Sequence, residues 1–391
     1  GMQLNTNYDD LYRQIKNMEE HFLDCTNANS SAAYFATYKF LVKYYKICTH
    51  QNLYNKKVNK NSYAKFSSRE RANVLYNQSI VNLIDNRHNH FNMISSIIDP
   101  FCDILNRFVN SKYYTNFFWK VNSVIPDDLG EDILNSFFSE YDPSMKELYE
   151  KLQKEKKIFA LPEETNRCHV AGRTFYNCVE NDVMIFLNPQ LPSLKKLFSL
   201  VHELAHAKDF LNYSSQHSSV DTFLYSIQSP FLEVPSFYDE FKFYDYLFSN
   251  SLFKDEVTVQ LANELVTVSQ FMDDLFCVSK LPEDYITWYD CMSKKLMLQL
   301  IQEQHKERIS NPIFSDVDLE NRDVDFLLAV NYSYGPLLSM AMVDDSKLYN
   351  RFSMIRDGYF DKDKLSSIGL SQEDVSQKVM KKCDDFFGKY L

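Results

Sequence analysis

Glycine occurs seven times in 391 residues, and this scarcity limits the folds open to the chain. Tight turns call for residues that tolerate positive φ, and glycine adopts it at the lowest cost. A chain this poor in glycine is expected to build long helices joined by polar loops. The apolar pattern agrees. Ser31–Cys48 (SAAYFATYKFLVKYYKIC) sets aromatic and aliphatic residues at helical spacing, and Met145–Lys156 also reads as helix. Asp99 is placed to cap a helix with Pro100 at its first position. Gln51–Ser68, rich in Asn and Lys, reads as a loop or a solvated helix face. Residues from about 5 to 155 are therefore expected to be helical.

The pattern changes near Leu161-Pro162. Between Arg173 and Asn188 the chain reads RTFYNC, a polar Val-Glu-Asn-Asp, and VMIFLN, which predicts two short strands about a turn. Pro189 and Pro192 break the chain. Ser193 is placed to cap a helix through LKKLFSLVHELAHAKDFL, in which Leu194, Leu197, Phe198, Val201, Leu204 and Ala205 recur every three or four residues. A polar loop, Asn212–Ser219, comes next, and then mostly helical sequence to Leu391. The expected fold is mainly α, with a small β element before this helix. The expected division is a helical region over 1–160 and a metal-binding region over 161–391, with a cleft between them.

Residues 202–206 read His-Glu-Leu-Ala-His. Positions i and i+4 lie on one helix face, so both imidazoles can reach a single zinc ion. Glu203 projects beside that ion rather than onto it. There it can take a proton from a water that the metal acidifies and later pass it to a leaving amine. A catalytic zinc needs a third protein ligand and an open fourth position. Glu233, set between Leu232 and Val234, is the candidate, because a carboxylate in an apolar setting is costly to bury unless it is paired or bound to metal. Glu240 lies seven residues on, about two helical turns along the same face. It is either a hydrogen-bond partner for a ligand imidazole or a solvated acid.

The formal charge of −11 repels phosphate backbones, so nucleic-acid binding is disfavoured. No run of 18 apolar residues occurs, so no membrane span is expected. The start of the chain lacks a basic segment followed by an apolar run. With eight scattered cysteines and no CxxC pair, this leads us to expect a cytoplasmic protein with reduced thiols buried as small hydrophobes. His88, His90, His169 and His217 have no partner at ligand spacing and read as surface or core histidines. Trp288 and Met292–Met297 read as core.

Three blocks in this order, VMIFLN, LFSLVHELAHA and FLEVPSFYDE, resemble the thimet oligopeptidase and oligoendopeptidase F family of zinc peptidases. The resemblance covers about Arg167–Met342. It implies a helical, zincin-like fold, one zinc ion, and metalloendopeptidase action on short peptides. It also implies that Glu233, the Glu before Pro-Ser, is the third ligand. In such enzymes a strand edge beside the metal pairs with the substrate backbone, which here points to Met184–Asn188 and to Phe186 as a substrate-binding residue. A weaker block, Asn331-Tyr332-Ser333-Tyr334-Gly335, resembles the family's tyrosine-rich segment. By that resemblance Tyr334 stabilises the oxyanion and Tyr332 binds substrate. The family usually has a histidine shortly before this segment, whereas Asn321–Val330 has none. Two alternatives stay open. One is a regulatory or peptide-binding protein with narrow or no proteolytic activity. The other is a carboxypeptidase or dipeptidase in which Arg173 binds a free carboxylate.

Overall fold

The structure, a computed structural model, describes residues 2–64, 86–162, 171–279, 326–356 and 362–391. The fold is mainly α, as expected, with a three-stranded sheet ahead of the His202 helix. Among the described residues, no helix is long and apolar enough to cross a membrane. His169, Trp288 and Met292–Met297 lie outside the described residues.

The chain divides into two compact units, each built from two stretches. One unit comprises Gly1–Tyr76 and Ser123–Gln228, the other Asn77–Asn122 and Ser229–Leu391. This is not a division at residue 160. Strand β1 (Ile158–Ala160) pairs in parallel with strand β3 (Asp182–Leu187), and Asn5 bridges to Phe159. Backbone pairing thus ties both sides of residue 160 into the first unit.

In the first unit, helix Asp9–Asp24 buries Leu11, Ile15, Met18 and Phe22 along one stripe and packs on helix Ala28–Thr49. Strand β2 (Gly172–Asn177) runs antiparallel to β3, giving the sheet order β1-β3-β2. The expected hairpin is present and turns without glycine. Asn181 takes the left-handed position at φ 51°, and the Asn177 side chain accepts from the backbone N–H groups of Val179 and Glu180. Strand β1 escaped the sequence reading, since three apolar residues carry no periodicity. The hairpin alternates strictly. Phe186 and Phe175 face helix Ala28–Thr49, with Phe40 stacked 4.0 Å from Phe175 and Tyr44 4.7 Å from Phe186. Gly172 and Thr174 face helix Ser193–Ser214, which bears His202 and His206.

In the second unit, helix Phe326–Met342 packs against Val234–Ser249 and Lys254–Ser279. Ala329, Val330, Tyr334, Leu337 and Leu338 are buried. Helix Gln372–Phe387 opens with a capping box between Ser371 and Asp374.

Two expected caps are corrected. Pro192, with extended ψ of 144°, holds the cap position of the His202 helix, and Ser193 is already helical. Helix Ile98–Val109 starts one residue before Asp99, because Arg87–Ser95 runs almost directly into it and leaves no extended residue to cap. Asp99 instead places its charge in the first turn, where the helix dipole favours it. The stretch Gln51–Ser68 includes helix Lys56–Ala64, and the expected loop Asn212–Ser219 begins later, because the His202 helix continues to Ser214. Cys48, Cys102, Cys178 and Cys383 are buried as expected, and burial raises the Cys178 thiol to about 11.

Candidate metal centre

The helix Ser193–Ser214 is long because its apolar residues bury almost all of its circumference. Leu200, Val201, Leu204, Ala205 and Ala207 are each at most 3% exposed. The spacing of four residues on this helix sets His202 and His206 one turn apart on one face. Their rings meet edge to face with centroids 4.9 Å apart. His206 stacks on Phe210, 5.7 Å away, one turn further on. Three residues past His206, Asp209 is buried and accepts a hydrogen bond of 2.7 Å from the Tyr225 hydroxyl.

Glu233 sits at the cap position of helix Val234–Ser249, but its carboxylate does not cap that helix. Pro235 follows in the first turn, where a missing N–H costs nothing. The position of Glu233 is fixed from helix Phe326–Met342. Ser339 Oγ donates to the Val234 carbonyl at 2.9 Å, and Gly335 packs against Glu233 itself.

One ring nitrogen from each of His202 and His206 and one carboxylate oxygen of Glu233 lie within 4.8 Å of one another, and all three residues are buried. Two imidazoles and a carboxylate so gathered could hold a metal ion, and the structure brings together the three ligands expected from the sequence. The donor set is one that zinc accepts. Glu203 is 6% exposed and touches β2. Thr174 Oγ1 lies 2.5 Å from Glu203 Oε2 and 2.9 Å from the Glu203 carbonyl oxygen, within donating distance of both.

Glu240 is 4% exposed, which corrects its reading as a solvated acid. It lies close enough to Tyr244 to help raise that phenol's pKa, together with burial and Glu264. Tyr332 is half-buried, its ring 5.7 Å from Phe237 and 5.1 Å from Phe271. Tyr334 is fully buried, which raises its pKa well above the usual phenol value. Its hydroxyl and His90 Nδ1 share a hydrogen bond of 2.7 Å, and Phe231 packs across its ring. His90 is buried too, and desolvation lowers its pKa to about 3. A histidine does stand beside the tyrosine segment, then, but it comes from 244 residues away in sequence.

The substrate roles expected for β3 and Phe186 are corrected. β3 is the central strand, paired with β2 along its length and with β1 over Ile185–Leu187, so the part of it that carries Phe186 has no open edge. Phe186 is fully buried against Tyr44 and Phe159 on the face turned away from Glu203. Arg173 lies on that same face, its guanidinium 5.7 Å from the Phe40 ring, and so does not point toward the histidines. Sequence reasoning missed Thr174, Gly172 and His90. The strand alternation could have indicated the first two, since they occupy one face of β2.

No family model and no curated protein matches the chain. A solved structure to which it is similar comes from Chlamydophila abortus and is described as that of a "putative peptidase". The two are 14% identical with a TM-score of 0.44, and the alignment covers 96% of this chain and 63% of that one. The chain thus spans less than two thirds of that protein's length.

Proposed function

We propose that the protein is a zinc-dependent peptidase that hydrolyses short peptides. One observation carries the reading: the buried donors of His202, His206 and Glu233 converge within 4.8 Å beside a helix position that bears a glutamate. Two imidazoles and a carboxylate gathered this closely are a donor set that a divalent cation such as zinc accepts. When bound, zinc supplies Lewis acidity to the attacked carbonyl and the attacking water. Glu203 is the general base: it takes the water's proton and returns it to the leaving amine. Burial of the site keeps bulk water from screening these charges.

Tyr334, held in its phenol form by burial, is assigned to the oxyanion, Tyr332 to the peptide, and Glu240 to a hydrogen bond with a ligand imidazole. The complete burial of Tyr334 and its bond to His90 favour a second reading, a peptide-binding protein with narrow or no proteolytic activity. A library of quenched-fluorescence peptides separates the two. The peptidase reading expects metal-dependent cleavage that a chelator stops. It also expects Glu203→Gln to keep its zinc and lose about 10²-fold or more in kcat. Full activity in that variant removes Glu203 from the mechanism.

A further inference from the structure

Glu203 meets β2 at two places, and both restrict its carboxylate. Thr174 Oγ1 is 2.5 Å from Oε2 and 2.9 Å from the carbonyl oxygen of the same residue. Thr174 is itself only 9% exposed, so water competes little for this bond. Two positions along the same face, Gly172 leaves the space that the rest of the carboxylate fills. A Cβ at 172 would lie 3.0 Å from Glu203 Cγ, 3.2 Å from Oε1 and 3.2 Å from the Phe186 carbonyl oxygen. The hydroxyl thus holds one carboxylate oxygen, and the missing side chain accommodates the other.

We propose that Thr174 is the positioning residue of Glu203, and that with Gly172 it engages Oε2 and leaves Oε1 as the oxygen that accepts the proton. The proposal rests on the peptidase reading for its catalytic consequence, but not for the placement of the side chain. A buried glutamate on a helix has several rotamers within reach, and a general base displaced by about 1 Å loses on the order of 10²-fold in rate. The hydroxyl selects one rotamer with a charge-assisted bond, and β2 is pinned by its ladder to β3, so the anchor does not move with the helix side chains.

The test compares Thr174→Val, which keeps the shape and removes the donor, with Thr174→Ser, which keeps the donor. Crystal structures of the metal-free proteins are expected to show the Glu203 carboxylate displaced from β2 in the Val variant and in place in the Ser variant. With zinc bound and a cleaved peptide as substrate, Thr174→Val is expected to lose about 10- to 100-fold in kcat with KM unchanged. Thr174→Ser should stay within about threefold of wild type, and zinc content should be equal in all three. In a Glu203→Gln background, Thr174→Val should have no further effect. An unmoved Glu203 in the Val variant overturns the proposal. So does a Ser variant as impaired as Val, or a loss of zinc in Val, which would place the effect on the ligands. If the wild-type protein with zinc cleaves no peptide, the peptidase reading fails, and the crystallographic comparison alone decides the placement of Glu203.

Discussion

Gly335 leaves no room for a side chain against Glu233: a Cβ at position 335 would fall 2.7 Å from the Glu233 Cβ and 2.9 Å from the ring of Phe237. The tyrosine-bearing helix therefore sets the position of Glu233 by close approach, and only glycine permits it. Gly335→Ala is expected to push Glu233 out of register with the histidines. Displacing a ligand's support typically costs about 10- to 100-fold in metal affinity, and overpacking a core about 1–3 kcal/mol of stability. Competition with a chromogenic chelator measures the first and thermal unfolding the second. Unchanged zinc affinity in this variant would separate Glu233 from the metal.

Metal removal supplies a second prediction. A ligand that binds only the folded state stabilises it by mass action, about 4 kcal/mol when free zinc is a thousand times Kd. Chelation should lower Tm and added zinc should restore it. His206→Ala should remove the difference, since it deletes one of the three donors.

A third prediction concerns the pH dependence of stability. The His90 imidazole has its pKa lowered from 6.5 to about 3 by burial. Between those values the unfolded chain binds a proton that the folded chain does not, so stability rises with pH across that window and is level above it. The contribution is about 1.4 kcal/mol per pH unit. His90→Leu should flatten the stability profile below pH 6.5 relative to wild type, as measured by denaturant unfolding at fixed ionic strength. Parallel profiles would show that His90 takes up its proton in the fold over the same pH range as in the unfolded chain.

A fourth prediction separates core from substrate site. Phe186 is fully buried under Tyr44 and Phe159. Phe186→Leu is expected to lower stability by about 1 kcal/mol and to leave KM for peptides unchanged. A raised KM with unchanged stability would return Phe186 to the substrate path.

What could be read from the sequence was local. The His202 helix and its candidate ligand pair follow from a spacing of four on an apolar helix, a signal complete within one element. Glu233 was legible from its apolar setting between Leu232 and Val234 and from the resemblance carried by the Glu-Val-Pro-Ser segment. The hairpin was legible from two apolar runs around polar turn residues. The remaining features depend on partners distant in sequence. Thr174 meets Glu203 across 29 residues and His90 meets Tyr334 across 244, and neither pair leaves a mark in its own surroundings. The central place of β3 depends on β1, whose three residues show no alternation to read. The two caps failed for a related reason: Pro192 and the helix Arg87–Ser95 took positions that a single polar residue was expected to hold.

The hairpin's two faces give β2 a reading frame. Its even-numbered residues Gly172 and Thr174 serve the glutamate, whereas its odd-numbered residues Arg173 and Phe175 serve the aromatic core around Phe40. A one-residue insertion in the turn that slipped β2 along β3 would exchange the two sets. It would deliver a guanidinium to Glu203 and withdraw the hydroxyl in the same event. A two-residue insertion would restore the parity, so in any collection of turn-length variants, activity should alternate with odd and even length.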